Sequence, residues 1–242
     1  MSPLTGSRKP ALASAVPVLV PVLVLVVLAL LGGCSSKGGG SDPSPTQTLA
    51  AAKKNLDATS GLHLTLRTDK LPAGVNGLLS ADGDATHDPA FKGTIKVSAN
   101  GITADAAVVA VGGQVYAKLP FTSRFVPIDP AGYGAPDPAD LMATSGGLSS
   151  LLTEAEDVQA GKKVRSGKAV LSSFDATVPG QAVAKVIPSA AESADFDATF
   201  TVDDQDQLTA ATLTGPFYPK ADDVTYRITF SDYGAKPTIK KP

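Results

Sequence analysis

The residues that could do chemistry in this chain are few: two histidines, one cysteine and a short acidic run. His63 lies in an alternating segment on the side away from the leucines, and His87 precedes Asp88 in a predicted turn, so we expect both rings at the surface. The chain has no G-x-S-x-G elbow, no Walker loop and no dinucleotide-binding fingerprint. The sequence therefore predicts a protein that is not an enzyme and has no catalytic residues.

The acidic run Asp203–Asp206 has two interpretations. Carboxylates are calcium ligands, but the glycine and the closing glutamate of an EF-hand loop are missing here. We therefore interpret the run as a hairpin turn between strands that end at Val202 and begin at Gln207, and we predict no metal site. The basic cluster Lys162–Arg165 is likewise interpreted as a solvated turn, with contact to anionic lipid headgroups as the alternative.

Cys34 is the only cysteine of the chain and closes the sequence Leu31-Gly32-Gly33-Cys34. An apolar run over residues 11–31 precedes this ending, and the basic residues Arg8 and Lys9 precede the run. The pattern resembles the lipobox of bacterial lipoproteins, in which a signal peptidase cuts before the cysteine and the thiol receives a diacylglycerol. A diacyl group, usually joined by a third acyl chain, holds a protein firmly at a membrane surface.

The alternative is an uncleaved transmembrane helix, because the apolar run is long enough to span a bilayer. Pro17 and Pro21 would weaken such a helix, and the small residues before the cysteine favour cleavage. We predict a signal peptide over 1–33, an acylated cysteine with a flexible tether over 34–48, and one folded domain over 49–242. The protein would then be anchored to the outer leaflet of the cell membrane and face the periplasm or cell wall.

The composition argues against nucleic acid as a partner and against a disulfide in the folded part. With 21 basic and 23 acidic residues, the formal net charge is −2, which gives no electrostatic basis for binding nucleic acid. With its one thiol acylated, the folded part has no disulfide, so its stability must come from burial. Nothing in the sequence indicates a cofactor.

The folded part is predicted to begin with a helix and a strand. Ser44-Pro45-Thr46-Gln47 has the spacing of a capping box, and Leu49, Ala52 and Leu56 form an apolar stripe behind it. Leucines then alternate with polar residues over 62–67, which predicts a half-buried strand.

Two short turns, Asn100-Gly101 and Gly112-Gly113, predict a three-strand meander over 94–119. The resulting register places Lys96 opposite Asp105, a favourable cross-strand pair. On the other face it pairs Val97 with Ala104, Ile95 with Ala106, Val108 with Ala117 and Ala110 with Val115. The predicted core face is Ile95, Val97, Ala99, Ile102, Ala104, Ala106, Val108, Ala110, Val115, Ala117 and Leu119.

Alternation over 195–202 and 224–231 predicts further antiparallel strands, each with one wet face. Short helical pieces are predicted after the Asp137-Pro138 cap, over 148–152 and over 183–187. Each piece is too short to be stable alone, so each must lie on the sheet. The predicted fold class is α+β: one large, curved antiparallel sheet with short helices covering its concave apolar face.

The predicted inner face of the meander is rich in alanine, and the chain has no tryptophan and only two methionines. Helices over such a face either settle close to the sheet and form a dense core, or stand off and leave an apolar hollow. From the pattern alone, the dense core is the favoured outcome.

Six motifs follow one another along the chain: the Cys34 lipobox; Asp105–Val109 continuing through Gly113 to Val115–Leu119; Asp137–Leu141; Gly147–Leu152; Gln181–Pro188; and Lys236–Pro242. This collinear series resembles the mycobacterial LprG/LppX-type lipoproteins, with the LprG branch nearest. The resemblance covers nearly all of the chain after the cysteine.

The resemblance implies a half-barrel sheet curled around helices, with a hydrophobic pocket between them, similar to the LolA/LolB carriers. Pockets of this family hold the acyl chains of diacylated or triacylated glycolipids such as phosphatidylinositol mannosides and lipoarabinomannan, and an exporter of the major facilitator type is an implied partner. We therefore expect a membrane-anchored carrier that moves such lipids across the cell envelope. The alternative is a scaffold lipoprotein that supports a membrane exporter without carrying lipid.

Apolar residues of both layers are expected to line the pocket, because acyl chains need apolar walls rather than directional bonds. Leu141 and Met142 are expected to form a lid, since short elements open at a low cost in free energy. The expected lining is Ile95, Val97, Ala104, Ala106, Val108, Ala117, Leu148, Leu151, Leu152, Phe200 and Ile228.

Overall fold

The computed structural model describes residues 42–120, 122–133 and 135–242. The predicted signal peptide and the Cys34 lipobox lie outside the described residues. No helix of the described part is both long enough and apolar enough to cross a bilayer.

One sheet dominates the described residues. It has 11 strands, all paired antiparallel, in the order β6-β5-β4-β3-β2-β1-β11-β10-β9-β8-β7. The strands are β1 (Gly61–Arg67), β2 (Gly77–Thr86), β3 (Ala90–Ala99), β4 (Ile102–Val111), β5 (Gln114–Lys118), β6 (Val126–Ile128), β7 (Glu156–Ser166), β8 (Ala169–Pro179), β9 (Asp195–Val202), β10 (Leu208–Gly215) and β11 (Val224–Ser231).

Short helices form a second layer. The α-helices are α1 (Pro45–Ala58), α2 (Leu151–Glu154) and α3 (Gly180–Val186), and the 3-10 helices are η1 (Pro130–Tyr133), η2 (Pro138–Met142) and η3 (Leu148–Ser150). α1 packs on α2, η3, β9 and β10, while η2 packs on β2, β3 and β4. The predicted fold class, a large curved antiparallel sheet with short helices, is confirmed.

Helix α1 begins where its sequence predicts. The Ser44 backbone N–H donates to Gln47 Oε1 at 2.9 Å, and the Gln47 N–H donates to Ser44 Oγ at 3.3 Å. These two bonds satisfy N–H groups that the first turn cannot pair internally. Pro45 therefore starts the helix four residues before the boundary predicted for the folded domain, and residues 45–48 of the predicted tether are helical. The division of the chain into 1–33, 34–48 and 49–242 otherwise stays a prediction.

The meander has the predicted register. Val97 pairs with Ala104, Ile95 with Ala106, Val108 with Ala117, and Ala110 with Val115. Lys96 lies opposite Asp105, with 3.4 Å between Nζ and Oδ1. The register could be predicted because both turns have two residues at positive φ. A two-residue turn allows only one register between the strands that it joins.

The outer end of the predicted core face is wrong. Ile102 is 70% exposed and Leu119 is 47% exposed, and Ala99 is exposed as well. The last β4–β5 pair joins Ala107 and Lys118, so β4 runs on past its neighbour. η2, which packs on β3 and β4, has only five residues, and Ile102 at the tip of the hairpin is left exposed.

Two further predictions concern turns. The hairpin turn at Asp203–Asp206 is confirmed, because Asp203 Oδ1 accepts from the N–H groups of Gln205 and Gln207, both at 2.9 Å. The turn predicted at Lys162–Arg165 is wrong. These residues lie within the edge strand β7, and the turn follows at Gly167, where φ is 60°.

A pair of glycines creates room for an aromatic ring on the inner face of the sheet. Gly83 of β2 pairs with Gly93 of β3, and the ring of Phe91 lies over both. A Cβ on Gly83 would lie 2.7 Å from Phe91 Cζ and 2.6 Å from the Lys92 carbonyl oxygen. The Phe91 side chain is 1% exposed, so it has little freedom to move aside.

We therefore predict that Gly83→Ala lowers the free energy of unfolding by about 1–3 kcal/mol, because the added methyl overpacks this contact. Urea unfolding followed by circular dichroism measures the change. Gly132→Ala is the matched control, since a Cβ there meets no atom within 4 Å, and its stability should stay near that of the parent. A Gly83→Ala protein as stable as the Gly132→Ala protein would contradict the packing described for Phe91.

Candidate functional site

The candidate site is the apolar layer between the sheet and the helices, which we call the interlayer core. On the sheet side it contains Val108, Ala117, Phe200 and Ile228, all buried. On the helix side the i, i+3, i+4 leucines of η3 and α2 point into it: Leu148, Leu151 and Leu152. These seven predicted pocket residues belong to one continuous cluster of contacting side chains.

The remaining predicted pocket residues lie further out along the meander. Ala106 is buried opposite Ile95, which is half-buried and packs against the interlayer core. Val97 and Ala104 face each other nearer the hairpin tip and are only half-buried. The structure thus brings most of the predicted residues together and places Val97 and Ala104 at the margin.

Two pockets in the described part of the chain lie away from the interlayer core. One, of about 510 Å³, lies between the C-terminal segment 236–239 and the ends of β2 and β4, and none of the predicted pocket residues lines it. A second, of about 330 Å³, is a shallow depression on α1. Between the layers the side chains contact one another, so acyl-chain binding there requires the layers to separate. The lipid-lining role of the predicted residues stays a prediction.

The segment predicted as a lid covers the alanine-rich half of the sheet. Pro138 begins η2, and the Ala139 N–H donates to Asp137 Oδ1 at 2.9 Å. Met142 is buried and Leu141 half-buried against the interlayer core. The 3-10 helix has only five residues, so it depends on this packing rather than on its own hydrogen bonds.

A lysine that the sequence analysis did not single out ties the helical layer together. Lys53 Nζ lies 2.7 Å from Asp57 Oδ2, and it donates to the Thr144 carbonyl oxygen at 2.9 Å and to Ser149 Oγ at 3.1 Å. Thr144 lies in the connection between η2 and η3, so this one ammonium joins α1 to the segment that follows η2. The i, i+4 pairing with Asp57 is readable from sequence, whereas the contact to a distant backbone carbonyl is not.

Both histidines are half-buried, so the prediction of surface-exposed rings is wrong. His63 Nδ1 lies 2.8 Å from Asp84 Oδ1 and Nε2 lies 3.4 Å from Asp82 Oδ1, on the sheet face away from the helices. His87 Nε2 lies 2.9 Å from the carbonyl oxygen of Leu56, in the last turn of α1. Alternation predicts which face a side chain takes, but it does not show what covers that face.

A tyrosine pair lies beyond the end of β1, at the same end of the strands as the β3–β4 hairpin, since Leu78 pairs with Val97. The Tyr226 hydroxyl donates to the Leu78 carbonyl oxygen at 2.7 Å and lies 2.7 Å from the Tyr218 hydroxyl. Burial, with a smaller effect of Tyr218, raises the pKa of the Tyr226 phenol. The Tyr226 ring packs edge-on against Phe217 with centroids 5.0 Å apart. The Tyr226 hydroxyl thereby links the start of β2 to β11 beyond the end of β1.

The Asp137 cap makes the stability of η2 testable. Burial raises the pKa of the Asp137 carboxyl above its ordinary value, so the folded protein holds this proton more tightly than the unfolded chain does. The contribution of Asp137 to stability therefore falls as pH rises from the unfolded pKa through the folded pKa. At neutral pH the carboxylate still accepts from Ala139, but its partial burial opposes folding.

We predict that Asp137→Ala destabilises η2 by about 1 kcal/mol through loss of the cap. Asp137→Asn keeps the acceptor without the charge, and should protect η2 at least as well as the parent at pH 7. Its advantage should shrink as the pH falls toward the ordinary range of a carboxyl group. Hydrogen exchange at the amides of Asp140 and Ala143, which close the turns of η2, measures this. Faster exchange in Asp137→Asn than in Asp137→Ala would contradict the role of the cap.

Comparison with known proteins gives consistent results. A model of the LppX_LprAFG lipoprotein family matches residues 44–239. The lipoarabinomannan carrier protein LprG of Mycolicibacterium hassiacum is 26% identical over 230 residues, which cover 90% of this chain and 94% of that protein.

Two crystal structures share the fold. LprF from Mycobacterium bovis superposes with a TM-score of 0.67 at 17% identity, over 83% of this chain and 98% of its own. LppX from Mycobacterium tuberculosis superposes with a TM-score of 0.60 at 18% identity, over 83% of this chain and 100% of its own. The predicted resemblance is confirmed. Because the family model spans most of the chain, this protein belongs to the LppX_LprAFG lipoprotein family.

Proposed function

We propose that this protein is a membrane-anchored lipoprotein that binds the acyl chains of glycolipids between its sheet and its helices, and carries them across the cell envelope. The observation that carries the proposal is the interlayer core, in which an alanine-rich sheet face lies under short helices. Family membership supports the proposal, and so does the relative named as a lipoarabinomannan carrier.

The physical basis is the transfer of an acyl chain from one apolar environment to another. Exposing a methylene to water costs about 0.8 kcal/mol, so a chain of about sixteen carbons loses more than 10 kcal/mol on leaving a bilayer alone. The apolar side chains of the interlayer core can replace most of that contact without directional bonds. Binding of this kind is tolerant of chain length and leaves a polar headgroup outside the core.

The lid side of the core is the side best suited to open. Ala106, Ala110 and Ala117 offer little side-chain volume on the sheet, and the five-residue η2 covers this region. The backbone bonds at the two ends of η2, from the Asp140 N–H to the Asp137 carbonyl oxygen and from the Ala143 N–H to the Asp140 carbonyl oxygen, join residues only three apart, so η2 can move together with these bonds. An acyl chain that replaces Met142 against the alanines would restore the apolar contact that opening removes.

The anchor and the partners belong to the same proposal. Cys34 would carry the lipid anchor in the outer leaflet, with the folded domain facing the periplasm or cell wall. A diacylated or triacylated glycolipid would be the cargo, and an exporter of the major facilitator type would be the membrane partner. In this scheme the protein forms no covalent bond to its cargo and needs no catalytic group.

A second candidate is a scaffold lipoprotein that supports an exporter and carries no lipid. The contact of the two layers throughout the interlayer core favours it, because a closed core is sufficient for a scaffold. The two candidates differ in one measurable property, which is whether lipid lies between the layers of the purified protein.

The test places a large side chain in the interlayer core. We predict that Ala106→Trp, produced in a glycolipid-rich mycobacterial host, retains about a tenth of the lipid that the parent retains, because the indole occupies space that acyl chains need. Mass spectrometry of lipid extracted from the gently purified protein measures the amount. Ala107→Trp is the matched control, since Ala107 is the next residue on β4 and faces away from the helices, and it should retain lipid at the parent level.

Val97→Trp keeps the test decisive if Ala106→Trp fails to fold. Val97 is half-buried at the margin of the core, so a larger side chain there is accommodated more easily. A folded Val97→Trp protein should also lose lipid, although less completely. Parent protein that contains no lipid, or Ala106→Trp that folds and keeps the full amount, would overturn the carrier and leave the scaffold.

A further inference from the structure

An apolar track runs along the inner face of β4 from solvent into the interlayer core. Exposure falls from 70% at Ile102 to 5% at Ala106 and 3% at Val108, with Ala104 half-buried between them. Alternate residues of a strand share one face, so these four side chains form a continuous line. The outer end of the line is Ile102, at the tip of the β3–β4 hairpin.

Two other exposed apolar side chains lie on or next to β5 and β6, at the same end of the strand order but further inward along the strands than Ile102: Val126 is level with Val108, and Leu119 follows Lys118, which is level with Ala107. Val126 is 37% exposed and shares the inner face, because it pairs with Ala117. Leu119, 47% exposed, directly follows β5. We call Ile102, Leu119 and Val126 the apolar tip. By contrast, the exposed Val164 lies on the edge strand β7, at the far end of the strand order.

Exposed cations flank the apolar tip. Lys118 precedes Leu119, and Arg124 lies two residues before Val126. The nearby carboxylate of Asp105 is already paired with Lys96 at 3.4 Å. The tip thus carries a local excess of positive charge on a chain whose formal net charge is −2.

These features fit a membrane surface better than a protein partner. An anionic bilayer has an apolar acyl region beneath a negatively charged headgroup region. The apolar side chains can enter the acyl region while Lys118 and Arg124 stay among the headgroups. A stable protein interface buries about 800 Å² on each partner, which is far more than three side chains provide.

We propose that the apolar tip docks on an anionic membrane surface and presents the outer end of the interlayer core to the bilayer. This proposal rests on the proposed function, in which lipid enters and leaves the interlayer core at its outer end. The β4 track would then join the acyl region of the membrane to the lid side of the core without a passage through water.

The chain has no tryptophan, so one introduced indole reports on one position. We expect the emission of Ile102→Trp in the full-length protein, reconstituted in phosphatidylglycerol/phosphatidylcholine vesicles, to be quenched by lipids brominated on their acyl chains. Val164→Trp is the matched control, because its site is similarly exposed at 56% and remote from the tip, and it should not be quenched. Equal quenching at both sites, or none at Ile102→Trp, would overturn the docking proposal.

A second experiment separates docking from lipid binding. The double variant Lys118→Glu/Arg124→Glu should transfer glycolipid between anionic vesicles about tenfold more slowly than the parent, and its lipid content after purification should be unchanged. With vesicles of phosphatidylcholine alone, the two proteins should differ little. Loss of bound lipid from the parent itself would count against the proposed function instead. Unchanged transfer by a lipid-containing double variant would overturn docking alone.

Discussion

The structure depends on one constraint: the inner face of an open 11-stranded sheet must be covered, and only short helices are available to cover it. Apart from α1, each helix has seven residues or fewer and is too short to be stable alone. The sheet and the helices therefore stabilise one another through apolar contact, which is strong in sum and has no preferred direction. An interface of this kind can exchange a leucine or methionine side chain for an acyl chain without losing a specific bond.

The local registers were predictable because they are set by adjacent residues. Asn100-Gly101 and Gly112-Gly113 fix the meander, and the Asp203 side chain organises its own turn. The sequence did not predict where β3 and β4 extend past their neighbouring strands, because that depends on the lengths of β2 and β5 relative to the β3–β4 hairpin. Periodicity assigns Ile102 to the apolar face and is right about the face, but it contains no information on the missing cover.

The same distinction applies to the candidate site. Leucines at helical spacing and alternating apolar residues identify both sides of the interlayer core. The side chains that hold the helical layer in place were missed, because they bind distant backbone oxygens. Lys53 reaches Thr144 and His87 reaches Leu56, and no sequence pattern encodes a contact to a carbonyl many residues away.

The two halves of the interlayer core differ in a way that bears on how it could open. Aromatic rings fill the C-terminal half, where Phe196 packs against Phe217 with centroids 4.9 Å apart and Phe217 packs against Tyr226. A Cβ on Gly215 would meet the Phe196 ring, so there is no room for a side chain beside this ring. The N-terminal half presents alanines under the five-residue η2. Separating large interlocked rings sacrifices far more contact area than lifting a short helix from a shallow face. If the layers part, they part over the meander, which is also the half that ends in the apolar tip.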